Sequence, residues 1–156
     1  MWNRKRSVIL SIVVCFTFTL ILTLGLFLAP RMVTEWLSAY RSISPEGEKM
    51  KSILAVFCAC FYPCSVFGYV TLYSLLRLLF NIKKDEIFIH RNIVYLRRIS
   101  WCCFAVSAIT IVGGILCLPS FIFIATAAAF VGLLLRVVKN VMQNAADIKA
   151  ENELTI

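Results

Sequence analysis

A chain of 156 residues has room for one domain, and with 61% hydrophobic residues, 15% charged residues and a mean hydropathy of +0.88 it lacks the polar surface of a water-soluble globule. A formal charge of +8 suggests a nucleic-acid binder at first sight. The 16 basic residues flank apolar runs instead of gathering on one polar face, which argues against direct nucleic-acid binding and for a chain dissolved in lipid.

The first element is an uncharged run over residues 7–30, preceded by Arg4, Lys5 and Arg6. A signal-peptide core has roughly 7–15 residues, whereas this run makes a helix of about 36 Å, enough to cross a hydrocarbon core of roughly 30 Å with some tilt. No small-x-small cleavage signal precedes Pro30, so the run is expected to stay as a first span, about 7–30. Residues 31–51 read as a polar connection in which Pro45-Glu46-Gly47 marks a turn. The second span is expected over 52–76, with Pro63 removing a backbone donor and kinking the helix near Ala59.

The connection 77–98 is the most basic part of the chain, holding Arg77, Lys83, Lys84, Arg91, Arg97 and Arg98 against Asp85 and Glu86. Ile89, Ile93, Leu96 and Ser100 recur at helical spacing, which predicts a helix that starts near His90 and runs straight into the third span, about 97–116. Residues 99–135 carry no charge, too many for one span of about 20 residues and enough for two joined by a tight turn. Gly113-Gly114 and Leu118-Pro119-Ser120 are the punctuation there. They predict a hairpin turn near 114–120, Pro119 in the first turn of the fourth helix, and a fourth span of about 119–138. Val137, Val141, Ala145 and Ile148 then keep a helical stripe through a polar tail, 139–156, so the fourth helix is expected to protrude.

Twelve of the basic residues lie at the N-terminus, in the 77–98 connection and from Arg136 onward, and four (Arg31, Arg41, Lys49, Lys51) lie on the other side. By the positive-inside bias both termini and the 77–98 connection are expected in the cytoplasm, in a multi-pass protein of the cell inner or plasma membrane. Trp2 and Trp101 fit an aromatic belt on that side, and Trp36 with Tyr40 one on the other. The expected fold class is an all-α integral membrane four-helix bundle forming a single transmembrane domain.

Chemistry is sparse along this chain. The seven cysteines all fall in apolar runs, and Cys58-x-Cys60-x3-Cys64 has neither zinc-knuckle spacing nor a second half, so small buried hydrophobes are favoured over a redox or metal role. The expected outer connection 31–51 holds no Cys and the outer turn near 114–120 holds only Cys117, which leaves no pair of outer thiols and argues against disulfides. His90 has only Asp85 and Glu86 near it in sequence and reads as a solvated surface residue. None of the expected spans holds Asp, Glu, Lys, Arg or His at its middle, which counts against proton-coupled transport without removing transport through hydroxyls or carbonyls. Ala125-x3-Ala129 and Ala128-x3-Gly132 allow close helix approach; packing within the bundle is favoured over dimerisation, and the oligomeric state is not readable. No catalytic residue, cofactor or metal site is predicted.

Tyr62-Pro63, the run Tyr73-Ser74-Leu75-Leu76-Arg77 leading to Glu86-Ile87-Phe88, the segment Leu96-Arg97-Arg98-Ile99-Ser100-Trp101-Cys102-Cys103 and the ending Ala150-Glu151-Asn152-Glu153-Leu154-Thr155-Ile156 together resemble the bacterial membrane proteins of the domain of unknown function 2975 family. In that family the residue after Phe88 is often a hydroxyl able to cap the next helix, and the ending often reads Asn-Asp-Leu-Thr; here Ile89 and Glu153 stand in those places. The resemblance implies a four-span protein with no established activity, whose relatives are encoded beside small helix-turn-helix transcription regulators of the Cro type.

The functional expectation is a non-enzymatic regulatory or interaction protein. Its candidate partner surface combines His90, Arg91, Tyr95, Arg97 and Arg98 of the third helix with Lys139, Gln143, Asp147 and Glu151 of the tail, and its candidate partner is a small cytoplasmic DNA-binding regulator. The alternative is a small transport, efflux or immunity factor that binds a lipophilic compound or peptide between helices, with Pro63, Gly113 and Gly114 letting the bundle open. A membrane enzyme ranks third because no cluster of acid, base and nucleophile is visible.

Overall fold

The computed structural model describes residues 4–41, 47–84, 89–116 and 119–153, and among them the chain forms four α-helices and no strand. These are α1 (Arg4–Arg41), α2 (Glu48–Lys83), α3 (His90–Leu116) and α4 (Ser120–Glu153). Each is long and apolar enough to cross a membrane. The molecule is an all-α integral membrane four-helix bundle, because an uncharged backbone in lipid must satisfy its own polar groups and a helix does so within one segment.

One expected break is not a break. Pro30 was the expected end of the first span, yet α1 continues through it to Arg41. The proline costs the carbonyl four residues back its donor, but the helix beyond it has its own supports. Arg31 Nε donates to Glu35 Oε1 at 3.2 Å, the Thr34 hydroxyl donates to the Arg31 carbonyl at 2.7 Å, and Leu37 is fully buried. The expected polar connection 31–51 is therefore largely helical. Its turn residues Pro45 and Glu46 lie outside the described residues, and Gly47 caps α2 in an extended conformation, with φ −70° and ψ 149°. Pro63 lies inside α2, within the expected second span.

Helix α3 ends at Leu116, the expected end of the third span, and α4 begins at Ser120, so the two helices part within the expected 114–120, while Gly113-Gly114 stay in the helix. Pro119 directly precedes Ser120, and its carbonyl accepts the Ile122 N–H at 3.0 Å, which closes the first turn of α4. The glycines have another use. A Cβ on Gly113 would lie 3.0 Å from Phe121 Cδ2 and 3.1 Å from Cys60 Sγ, and one on Gly114 would lie 2.8 Å from Ile122 Cγ1. Absence of side chains there lets the end of α3 meet the start of α4 and the middle of α2.

The helices pack in chain order, α1 on α2, α2 on α3 and α3 on α4. Among the described residues no Cα of α1 comes within 8 Å of α3 or α4. Helix α3 is central, with 39% of its span buried against 6% for α1. Lipid tails are as apolar as leucine, so the helices are held by close packing and hydrogen bonds instead of by water exclusion. Each neighbouring pair has such a bond. Tyr69 and Thr23 join α1 to α2 at 2.8 Å; Thr23 spends its proton on the Thr19 carbonyl, so the tyrosine donates. Asn81 Nδ2 donates to Asn92 Oδ1 at 2.7 Å between α2 and α3. Between α3 and α4, the Ser100 hydroxyl donates to the Gly132 carbonyl at 2.8 Å and the Ser107 hydroxyl to the Ala125 carbonyl at 2.9 Å. Buried Ala125 and Gly132 thus serve packing within this chain, with the Gly132 Cα facing Cys103 and Phe104.

Most other hydroxyls in the spans turn back on their own helix. Ser11, Thr17, Thr19, Ser65 and Thr126 each donate to the carbonyl four residues earlier, at 2.8–3.1 Å, which hides a polar group from hydrocarbon. Ser74 differs. It is fully buried on α2 and its hydroxyl has no hydrogen-bond partner among the described residues. An orphaned buried hydroxyl costs about 1–3 kcal/mol. Ser74→Ala is therefore expected to stabilise the protein by about 1 kcal/mol in thermal unfolding in detergent. A loss of stability instead shows the hydroxyl to be engaged in the folded protein.

Candidate functional site

The basic end of the bundle is built from the start of α3 and the last third of α4. On α3 the buried face is Asn92, Ile93, Leu96, Ile99 and Ser100, which leaves His90, Arg91, Arg97 and Arg98 exposed and Tyr95 half-buried. On α4, Lys139, Gln143, Asp147 and Glu151 recur every four residues and share one side of the helix; Lys139 is half-buried and the other three are exposed. All nine residues of the expected partner surface therefore lie at one end of the fold, though not as one patch.

The α3–α4 register separates them. Ser100 bonds to Gly132 and Ser107 to Ala125, so one step back along α3 is one step on along α4. Continued at that pace, His90 falls level with Met142. Beyond that point α4 extends without α3 beside it for about 16 Å, at 1.5 Å per residue up to Glu153. Asp147 and Glu151 stand on this extension, and Ile148 is 59% exposed between them.

Arg97 and Lys139 are brought together. With Ser100, Trp101 and Arg136 they line a cavity of about 70 Å³ between α3 and α4. The Arg136 guanidinium lies over the Trp101 ring at 5.5 Å and the Phe104 ring at 5.9 Å, and those two rings meet edge to face. On α2 the Arg77 guanidinium repeats the pattern, 5.4 Å over the Tyr73 ring with Nε donating to its hydroxyl at 3.1 Å. Cations resting on aromatic faces at the end of an apolar span are placed as snorkelling side chains are, stem in oil and head in water. Arg136 was absent from the expected surface. The signal for it is in the chain: Arg98 and Arg136 bound the uncharged run 99–135, and a hairpin folded about its middle brings the two ends of that run side by side.

Among the described residues the cysteines are not gathered with other metal ligands. The six described, Cys15, Cys58, Cys60, Cys64, Cys102 and Cys103, are unpaired thiols, and among the described residues no three His, Cys, Asp or Glu side chains are grouped to hold a metal ion. Cys117 lies outside the described residues.

A second concavity is apolar. The groove left between α1 and α4 holds a cavity of about 270 Å³ lined by Leu22 of α1, Gly68 and Leu72 of α2, Cys103 and Val106 of α3 and Ala128 of α4.

Compared with known proteins, residues 6–156 match the family described as "Protein of unknown function (DUF2975)", which covers essentially the whole chain. No curated protein and no solved structure matches it.

Proposed function

The chain belongs to the DUF2975 family, and on that premise we propose that it is a non-enzymatic regulatory or interaction protein that presents its basic end to a small soluble partner. The observation that carries this reading is the extension of α4 beyond α3. A helix that leaves the bilayer and continues past the start of α3, with Ile148 exposed among Asp147, Glu151 and Gln143, offers an amphipathic ridge of the kind a partner groove receives. The positive-inside bias puts that ridge in the cytoplasm. The partner implied by the family resemblance is a small helix-turn-helix regulator, which binding at the membrane would withdraw from DNA by mass action.

Truncation after Met142 removes the extension and leaves the α3–α4 hydrogen bonds intact. The truncated protein is expected to keep its unfolding midpoint and to lose the partner that the full chain retains during purification in detergent. Equal recovery of that partner by both forms overturns the assignment of the ridge.

A second reading is favoured by the apolar groove, which is open to lipid because α1 and α4 do not meet. In that reading a lipophilic compound or peptide binds there, as in a small efflux or immunity factor. Ala128→Phe narrows the cavity and is expected to weaken binding of a hydrophobic fluorescent probe to the purified protein; unchanged binding removes the groove as a ligand site.

A further inference from the structure

We propose that the cavity between α3 and α4 at the basic end binds the phosphate of an anionic lipid headgroup. Three cationic side chains, Arg97, Arg136 and Lys139, line a space of about 70 Å³. Among the described residues no carboxylate lies within 4 Å of any of the three. Three like charges gathered in one small space repel one another, and an anion among them relieves that cost. Ser100 also lines the space, but its proton is committed to the Gly132 carbonyl, so the cations supply the donors. Guanidinium and ammonium donors around a small space suit phosphate oxygens, which accept several charge-assisted hydrogen bonds at once.

Depth identifies the source of the phosphate. Arg97 and Arg98 on α3 and Arg136 on α4 are the first charges met on leaving the uncharged stretch 99–135. The Trp101 ring beside the cavity is 59% exposed, with Arg136 over its face. An indole at a span's end carrying a cation on its ring marks the level of the headgroups, where lipid phosphates lie. The site therefore takes a lipid-borne phosphate with net negative charge, and it does so independently of any soluble partner. Basic pockets between spanning helices are a known way of holding acidic headgroups.

Trp101 reports on the site directly. In the full chain carrying Trp2→Phe and Trp36→Phe, Trp101 is the single indole, and lipids with brominated acyl chains quench it when they bind beside it. Brominated phosphatidylglycerol is expected to outcompete brominated phosphatidylcholine at Trp101 by about fivefold or more, the preference that one well-placed cation gives. Arg97→Gln and Lys139→Gln are each expected to bring the ratio toward one, Arg97→Lys to keep most of it, and Arg91→Gln, exposed and away from the cavity, to leave it unchanged. A ratio near one in the parent overturns the proposal. So does a preference that survives Arg97→Gln combined with Lys139→Gln, which assigns it to general surface charge. Millimolar inorganic phosphate is expected not to displace the lipid; displacement assigns the site to the free ion and overturns the lipid source.

Discussion

Gly114→Leu is expected to be among the most damaging single substitutions in the spans, costing about 3 kcal/mol of stability by overpacking the contact between α3 and α4. A Cβ at this position meets Ile122 Cγ1 at 2.8 Å and, more seriously, the Ile122 backbone nitrogen at 3.3 Å. The side-chain atom can rotate away. The nitrogen cannot, because it belongs to the first turn of α4 and donates to the Pro119 carbonyl. A larger residue must therefore move α4 or unwind its start. Gly113 is flanked by the side chains of Phe121 and Cys60, which can give, so Gly113→Ala is expected to cost about 1 kcal/mol. Gly25 is the control. Its nearest neighbour to an added Cβ is Phe61 Cζ at an ordinary 3.8 Å, so Gly25→Ala is expected to be neutral or to stabilise by about 0.5–1 kcal/mol through reduced backbone entropy of the unfolded chain. Thermal unfolding of the three variants in one detergent gives the order directly, and indistinguishable midpoints for Gly114→Leu and Gly25→Ala contradict the account of the α3–α4 contact.

That contact also shows why some of this fold is legible in the sequence and some is not. Four helices follow from runs without charge, a property of composition that needs no knowledge of neighbours. The far end of α1 does not follow, because Pro30 is weighed by rules suited to water. In water a helix that loses one bond can surrender the rest to solvent, whereas in lipid each freed group costs several kcal/mol and the helix is kept. The start of α3 at His90 was readable, since Ile93, Leu96 and Ser100 repeat at helical spacing and all three are buried. The partners of Ser100, Ser107 and Asn92 were not, because a bond between helices depends on register, and register is set by the small residues where backbones meet. For the same reason Arg97 and Lys139 could be placed at one end of the molecule but not in one cavity. Ser74 appears in the resemblance to the family, but nothing in the sequence marks it as a hydroxyl without a partner.

The Asn81–Asn92 pair is expected to give the second large effect, and an asymmetric one. Asn92 is fully buried and Asn81 half-buried, with the amide bond between them only 2.7 Å long. Asn81→Leu removes the donor and leaves a buried carbonyl oxygen with one partner fewer, a loss of about 1–3 kcal/mol. Replacing both residues by leucine removes the underbonded oxygen together with the bond, so the double variant is expected to be more stable than the sum of the single losses predicts. Interhelical hydrogen bonds in membranes average about 0.6 kcal/mol in such cycles and reach about 1.7. Full burial of Asn92 places this pair at the upper end, with a coupling of about 1 kcal/mol or more. Because the bond ties the last turns of α2 to the first turn of α3, it also fixes the entry of the chain into the basic end. Under the proposed function, Asn81→Leu is expected to reduce partner retention although it lies outside the partner surface, and the double variant to restore it. Retention that follows neither stability nor the state of this bond separates the partner surface from the packing beneath it.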